Sequence, residues 1–577
     1  MKAITPYEWK PEGGLSLEDA AMSAIQSTRN VLVTAGPGAG KTELLAQKAC
    51  FLLQTNVCRN PHRILAISFK RDEASNLKDR VVLRCGDCAK MRFMSLTYDA
   101  FAKLLLDRFM FVLPQAERPS RAYELTGYPA QGAKRPDGHL ILTFIQVREL
   151  AIRIVSVNKM VRQVIRNTFS HIFLDEFQDT TRQQYQLINA CFEGYERGIT
   201  AVGDEKQRIM VWAGAVKNIF DQFENDYRAE KMSLIRNFRS APRLIAFQES
   251  MYGILKTPEM KIKASEKWGS EDGRIVLFES ETENAEAEAV ADDIKKRIAE
   301  GIMPRDICIL SKNRPAEYAK RLMGELEKRN VQAREEAKYQ DLVKQPCVRL
   351  VVEYLKYLSK RRDTIDIDYM LPIYAVQQGF NLDDDDQYME CLESLAHTRT
   401  AHRITDTKIN SKLTFNVVLK EIVGIFGDTV GIKRYFPEYG TGRLLEETLN
   451  QFSSLFVDIL VRNEWDVAQA VSDFYGDNSI PIMTVHKSKG LEYKCVYFIG
   501  LDDEAFFNFA KEAEEDRCVF FVAMSRAKEY LAFTYSHNRL NSARSRRKIN
   551  EFYELLKSPG VADVINVGAN GIRGPLC

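Results

Sequence analysis

Apolar residues fall in short runs that alternate with longer amphipathic or charged stretches. NVLVTAGPGAGKT, Asn30 to Thr42, reads as a buried strand, a glycine-rich turn and the opening of a helix that continues through ELLAQKACFLL. RILAISF, Arg63 to Phe69, is a second buried strand, and a charged, helix-compatible stretch follows it to Arg80. HIFLDEF, His171 to Phe177, and GITAVGD, Gly198 to Asp204, are a third and a fourth, each with carboxylates at its C-terminal end. Such runs predict parallel strands covered on both faces, with the ligand crevice at their carboxyl ends.

The same rhythm returns in GRIVLFES at Gly273, DICILSKN at Asp306, PIMTVHKSKG at Pro481 and CVYFIG at Cys495. Between these blocks lie two stretches without it. Residues 104–168 hold a turn-rich centre, PQAERPSRAYELTGYPAQGAKRPDG, and residues 364–478 are helix-patterned with an acidic run from Asp383 to Asp386. The prediction is an α/β protein of two lobes with parallel sheets, each carrying a mainly helical insertion. The boundaries are 1–103 and 169–235 for the first lobe, 236–363 and 479–577 for the second, and 104–168 and 364–478 for the insertions.

Length agrees, since 577 residues is near four times a domain of about 150. Lys plus Arg at 81 against Asp plus Glu at 79 leaves a net charge of +2, so a polyanion must be held in a local groove. The eleven cysteines are scattered and do not read as a disulfide framework. Neither a secretory leader nor a membrane span of 18 apolar residues is recognisable, and a cytoplasmic protein is expected.

The octet Ala35-Gly36-Pro37-Gly38-Ala39-Gly40-Lys41-Thr42 is a phosphate loop. Its glycines let backbone N–H groups converge on phosphate, Lys41 pairs with the β and γ phosphates, and Thr42 ligates Mg2+. Ala35, Gly36, Gly38, Ala39, Gly40, Lys41, Thr42 and Glu43 are therefore the candidate nucleotide contacts. Asp175 and Glu176 close the third strand, where a P-loop enzyme needs one carboxylate for the metal and another for the attacking water.

DEFQDT at Asp175 and an ordered series around it resemble the UvrD, Rep and PcrA group of superfamily 1 DNA helicases. SFKRDEA at Ser68 resembles motif Ia, LTYDAF at Leu96 motif Ib, VGDEKQRIMVWAGA at Val202 motif III, and NFRS at Asn237 motif IV. MTVHKSKGLEY at Met483 is similar to motif V and FVAMSRAKEYL at Phe521 to motif VI. The resemblance implies two RecA-like lobes that hydrolyse ATP with Mg2+ between them and move 3′ to 5′ along DNA. It further implies that Asp175 holds the metal and Glu176 is the catalytic base. Gln207 senses the γ-phosphate, Arg239 and Arg526 are arginine fingers, Phe238 lies on adenine and Glu492 meets the ribose.

On the DNA side it implies that Trp212 and Phe69 stack on bases and that Thr97, Thr484 and His486 contact the backbone of single-stranded or tailed duplex DNA. Core packing is the competing reading for Trp212 and Phe69. The chain also departs from the family pattern. Asp19 or Ala21 stands near the usual adenine-reading glutamine, Met210 replaces a tyrosine, and Ala213 replaces an arginine. Asp99 replaces a histidine, placing negative charge near the expected DNA path. Both insertions are short. A DNA-sensing ATPase that licenses a partner nuclease, as in the Gabija anti-phage system, is the alternative function. The pathway is open among DNA repair, replication restart, plasmid maintenance and phage defence.

Overall fold

The computed structural model describes residues 4–119, 123–126, 141–195, 198–257, 260–359, 365–401, 409–440, 443–568 and 571–573. The turn-rich centre of the first insertion thus lies in part outside the described residues. Six strands form the first sheet: β1 (Val31–Ala35), β2 (Arg63–Ser68), β3 (Phe93–Thr97), β4 (Phe169–Leu174), β5 (Ile199–Gly203) and β6 (Glu230–Leu234). Their order is β3-β2-β4-β5-β1-β6, all parallel, with Val31 in register with Thr200 on one side and Glu230 on the other. Alternation along the strands separates two cores. Leu32, Leu65 and Ile67 face one cluster, while Val31, Val33, Ile64 and Ala66 face the other.

Among its described residues, the first insertion builds no core of its own. Helices Tyr98–Phe109, Phe144–Val157 and Lys159–Thr168 bury Phe101, Leu105, Val147, Ile154 and Ile165 in the cluster that contains Leu65 and Ile67. It is a layer on the first lobe, and its first helix crosses the expected boundary at 103/104. That layer changes the reading of Asp99, whose carboxylate pairs with Arg148 of the helix Phe144–Val157, so its charge is neutralised.

The second sheet holds β7 (Arg274–Thr282), β8 (Ile307–Ser311), β9 (Gln332–Glu335), β10 (Ser479–Thr484), β11 (Tyr493–Phe498), β12 (Ala527–Arg539), β13 (Ser542–Ala543), β14 (Asp563–Gly568) and β15 (Gly571–Arg573). The order is β9-β10-β8-β11-β12-β7-β14-β15, with β13 antiparallel on β12; only β13 and β15 run against the parallel majority. The second helical unit begins earlier than its pattern suggested. Helices Ala337–Val343 and Pro346–Leu358 share one core with the helices beyond residue 364, from Tyr339 to Phe474. The expected start at 364 is corrected to about 337, because a helix whose apolar stripe faces other helices belongs with them whatever precedes it in sequence.

Cys50 and Cys85 are joined as a disulfide, a single link and not a framework. It links the helix after the phosphate loop, Lys41–Gln54, to Arg71–Cys85. Among the described residues no helix is long and apolar enough to cross a membrane.

Candidate functional site

The phosphate loop leaves β1 and turns into the helix Lys41–Gln54 through Gly38 and Gly40, both with positive φ (70° and 82°), a conformation glycine adopts without strain. Gly38 is required twice over. A Cβ there would stand 2.5 Å from Asn237 Oδ1 and 2.6 Å from the Arg239 side chain. Those residues open the second lobe, and the Phe238 amide donates to the Gly38 carbonyl at 2.9 Å. Phe238 itself is 41% exposed at this seam. Lys41 Nζ donates to the carbonyls of Ala35 and Gly36 at 3.2 and 3.3 Å. Burial lowers its pKa, and Glu176, Asp204 and Asp175 oppose that shift.

Asp175 follows β4, buried, with its Oδ1 accepting from the Glu176 amide at 2.9 Å. Glu176 is left-handed (φ 48°, ψ 43°), backbone strain of the kind found at functional sites. Burial and the adjacent Glu176 charge push the Asp175 carboxyl up to about 7. Burial raises Glu176 too, but Lys489, Lys41 and the Gln178 amide overcome it and hold it down at about 2. Asp175 and Thr42 would hold a divalent ion, with Glu176 and Asp204 adding negative charge around Lys41. Among the described residues no group of three or more His, Cys, Asp or Glu forms a cage, so such an ion would take its remaining ligands from phosphate and water.

Gln207 connects the lobes. Its Nε2 donates to Asp204 Oδ2 at 2.8 Å, and its Oε1 accepts from Arg526 Nη2 at 2.9 Å. Arg526 is 1% exposed, and burial with the neighbouring Arg239 cation pulls its pKa down to about 9. Arg239 donates to Glu492 Oε2 at 2.7 Å and to the Ser525 carbonyl at 2.8 Å. Burial opposes ionisation of Glu492, yet Arg239 and Lys528 hold it at about 2. Glu43 is the candidate whose side chain points elsewhere: its carboxylate is bound by Arg80, Arg84 and Gln47, leaving only its amide for phosphate.

The DNA candidates lie at the carboxyl ends of strands in both lobes. Phe69 follows β2 and is half-buried; Thr97 ends β3 and caps the helix Tyr98–Phe109 by accepting from the Ala100 amide. Trp212, in the loop after β5, is 72% exposed, which removes the core-packing reading. Met210, by contrast, is buried at 5%. Thr484 ends β10 and accepts from the Lys487 amide at 3.3 Å. The His486 ring bonds to the Ile209 main chain, while its Nε2 is buried with no partner among the described residues.

Two comparisons bear on this arrangement. The UvrD/REP helicase N-terminal domain matches residues 17–126 and 133–228, and the UvrD-like helicase C-terminal domain matches 232–382 and 446–538. The chain belongs to the UvrD-like helicases. The ATP-dependent DNA helicase PcrA of Staphylococcus aureus is 22% identical over 90% of this chain and 83% of its own length. YjcD of Bacillus subtilis is 22% identical over 95% and 82%, and PcrA of Staphylococcus epidermidis 22% over 90% and 83%.

Within this helicase the structure adds members that motif reading passed over. Lys489 reaches from the second lobe into the first, bonds Asp179, lies 3.5 Å from Glu176 and donates to the Gln207 carbonyl at 3.3 Å. Lys70 Nζ donates to the His486 carbonyl at 3.2 Å. Arg208 and Lys217 both bind Glu514 of the second lobe. A third acid in DEFQD and a second lysine in KSKG were the available signals.

Proposed function

We propose that the protein is an ATP-dependent single-stranded DNA translocase and helicase that moves 3′ to 5′, working in the cytoplasm with Mg2+. The observation that carries this reading is the bond of Arg526 to Gln207 across the lobes, with Arg239 beside the phosphate loop. Charges on both walls of one cleft are set for phosphoryl transfer, and they come together only when the lobes close. Lys41 and Thr42 would hold phosphate and metal with Asp175. The Glu176 carboxylate orients and deprotonates water. Arg239 and Arg526 neutralise charge on the equatorial oxygens, and Phe238 and Glu492 flank the base and ribose. Trp212 and Phe69 offer π faces to bases, and Thr97 and Thr484 offer hydroxyl donors to phosphate with His486 at the same edge, so little sequence preference follows.

The test is displacement by the purified chain from 3′-tailed and 5′-tailed duplexes with ATP, with release from the 3′-tailed substrate alone as the expected result. Lys41→Ala should abolish hydrolysis. Single-strand-stimulated hydrolysis without displacement from either duplex would instead favour an ATPase that acts through a partner such as a nuclease.

A further inference from the structure

Phe507 is 59% exposed in the segment between β11 and the helix Phe509–Met524. A single exposed aromatic on a loop needs no explanation by itself. Here the surroundings supply one. Lys312, which follows β8, lies 4.5 Å from the Phe506 ring centroid and 5.8 Å from that of Phe507. Its ammonium is anchored to Asp516 at 2.5 Å, so the cation bears on an aromatic surface from a fixed position.

The place in the sheet is equally specific. β10, β8 and β11 are adjacent and parallel. Their carboxyl ends lead to Thr484 and His486, to Lys312, and to Phe507 respectively. The arginine site stands at the other end, since Arg526 immediately precedes β12. Phe507 therefore shares an edge with the DNA candidates and lies away from the phosphate chemistry. The helix Phe509–Met524 also ties it to the first lobe: Glu515 accepts from the Trp212 main chain and Glu514 binds Arg208 and Lys217.

We infer that Phe507, steadied by Lys312, is a base-stacking platform of the second lobe, facing the strand that Trp212 receives from the first. This rests on the single-strand reading above. A strand held on one aromatic face from each lobe is gripped by both halves of the motor. The residue contributes through its π face, so an apolar side chain of similar size does not replace it.

The experiment is titration of the full chain with a 2-aminopurine-labelled oligonucleotide, reading affinity and quenching. Phe507→Leu and Phe507→Ala are expected to weaken binding about 5- to 100-fold and to reduce quenching, with DNA-free hydrolysis unchanged, while Phe507→Trp stays close to the wild type. Wild-type affinity and quenching in Phe507→Leu would overturn the inference. If Trp212→Ala loses affinity in the same assay while Phe507→Leu does not, the platform falls and the single-strand reading stands. If the wild type does not bind the oligonucleotide, both fall.

Discussion

Lys489 and Asp179 have side chains that are 1% and 0% exposed, and each is the other's main compensation for leaving water. Removing one member of such a pair strands a buried charge, at a cost of about 3–5 kcal/mol, whereas removing both together is often near neutral. Lys489→Met should therefore lower the denaturant midpoint sharply, and Lys489→Met with Asp179→Leu should recover most of the loss. Additive costs in that double-mutant cycle would contradict the pairing. His171 makes a second residue-scale case. Burial, with the charges of Lys48 and His62 behind it, draws its pKa from 6.5 to about 4. The unfolded chain then binds more protons in that interval, so stability is lost as pH falls from about 6.5 toward 4. His171→Gln should flatten this part of the pH–stability curve, and an unchanged slope would remove His171 from the account.

The helix Phe509–Met524 is the element through which the two chemistries can communicate. Its first half holds Glu514, Glu515 and Asp516 against the Trp212 loop and Lys312, and its C-terminus delivers Arg526 to Gln207. Glu514→Gln should weaken its hold on Arg208 and Lys217 and reduce single-strand stimulation of hydrolysis several-fold, with DNA-free turnover close to wild type. Equal losses in both rates would mean that the contact serves only to hold the fold. Legibility in the sequence divides along the same line. From Val31 to Thr42 the strand, loop and helix are contiguous, so local pattern sufficed to read them. Asp175 and Glu176 were readable because they end an apolar run. Glu514 and Arg208, Arg526 and Gln207, and Asp99 and Arg148 are charged residues far apart in the chain, and no periodicity records which of them meet. The helices from Ala337 to Leu358 were misplaced for a related reason: an amphipathic stripe announces that it will be buried without saying against what.

At the scale of the molecule, the contacts that span the seam include a main-chain bond from Phe238 to Gly38, the Arg526–Gln207 bond, buried Lys489 among first-lobe acids, and Ile209, which packs in the second lobe's core. Lys344 with Asp72 adds an ion pair from the second helical unit to the helix after β2. Nucleotide should favour the closed arrangement, because the guanidinium groups of Arg239 and Arg526 can meet the phosphates held by the first lobe only there. Small-angle scattering is expected to show a smaller radius of gyration with a non-hydrolysable ATP analogue, and Arg239→Ala with Arg526→Ala should abolish the change. An identical compaction in the double variant would assign closure to other contacts. The Phe238–Gly38 bond has a different standing from the rest. It joins peptide groups, so alanine scanning cannot see it and ordinary substitutions cannot delete it; only a proline at 238 or a backbone ester would. Mutation can retune every charged rung of this seam while the latch itself passes unedited from one variant to the next.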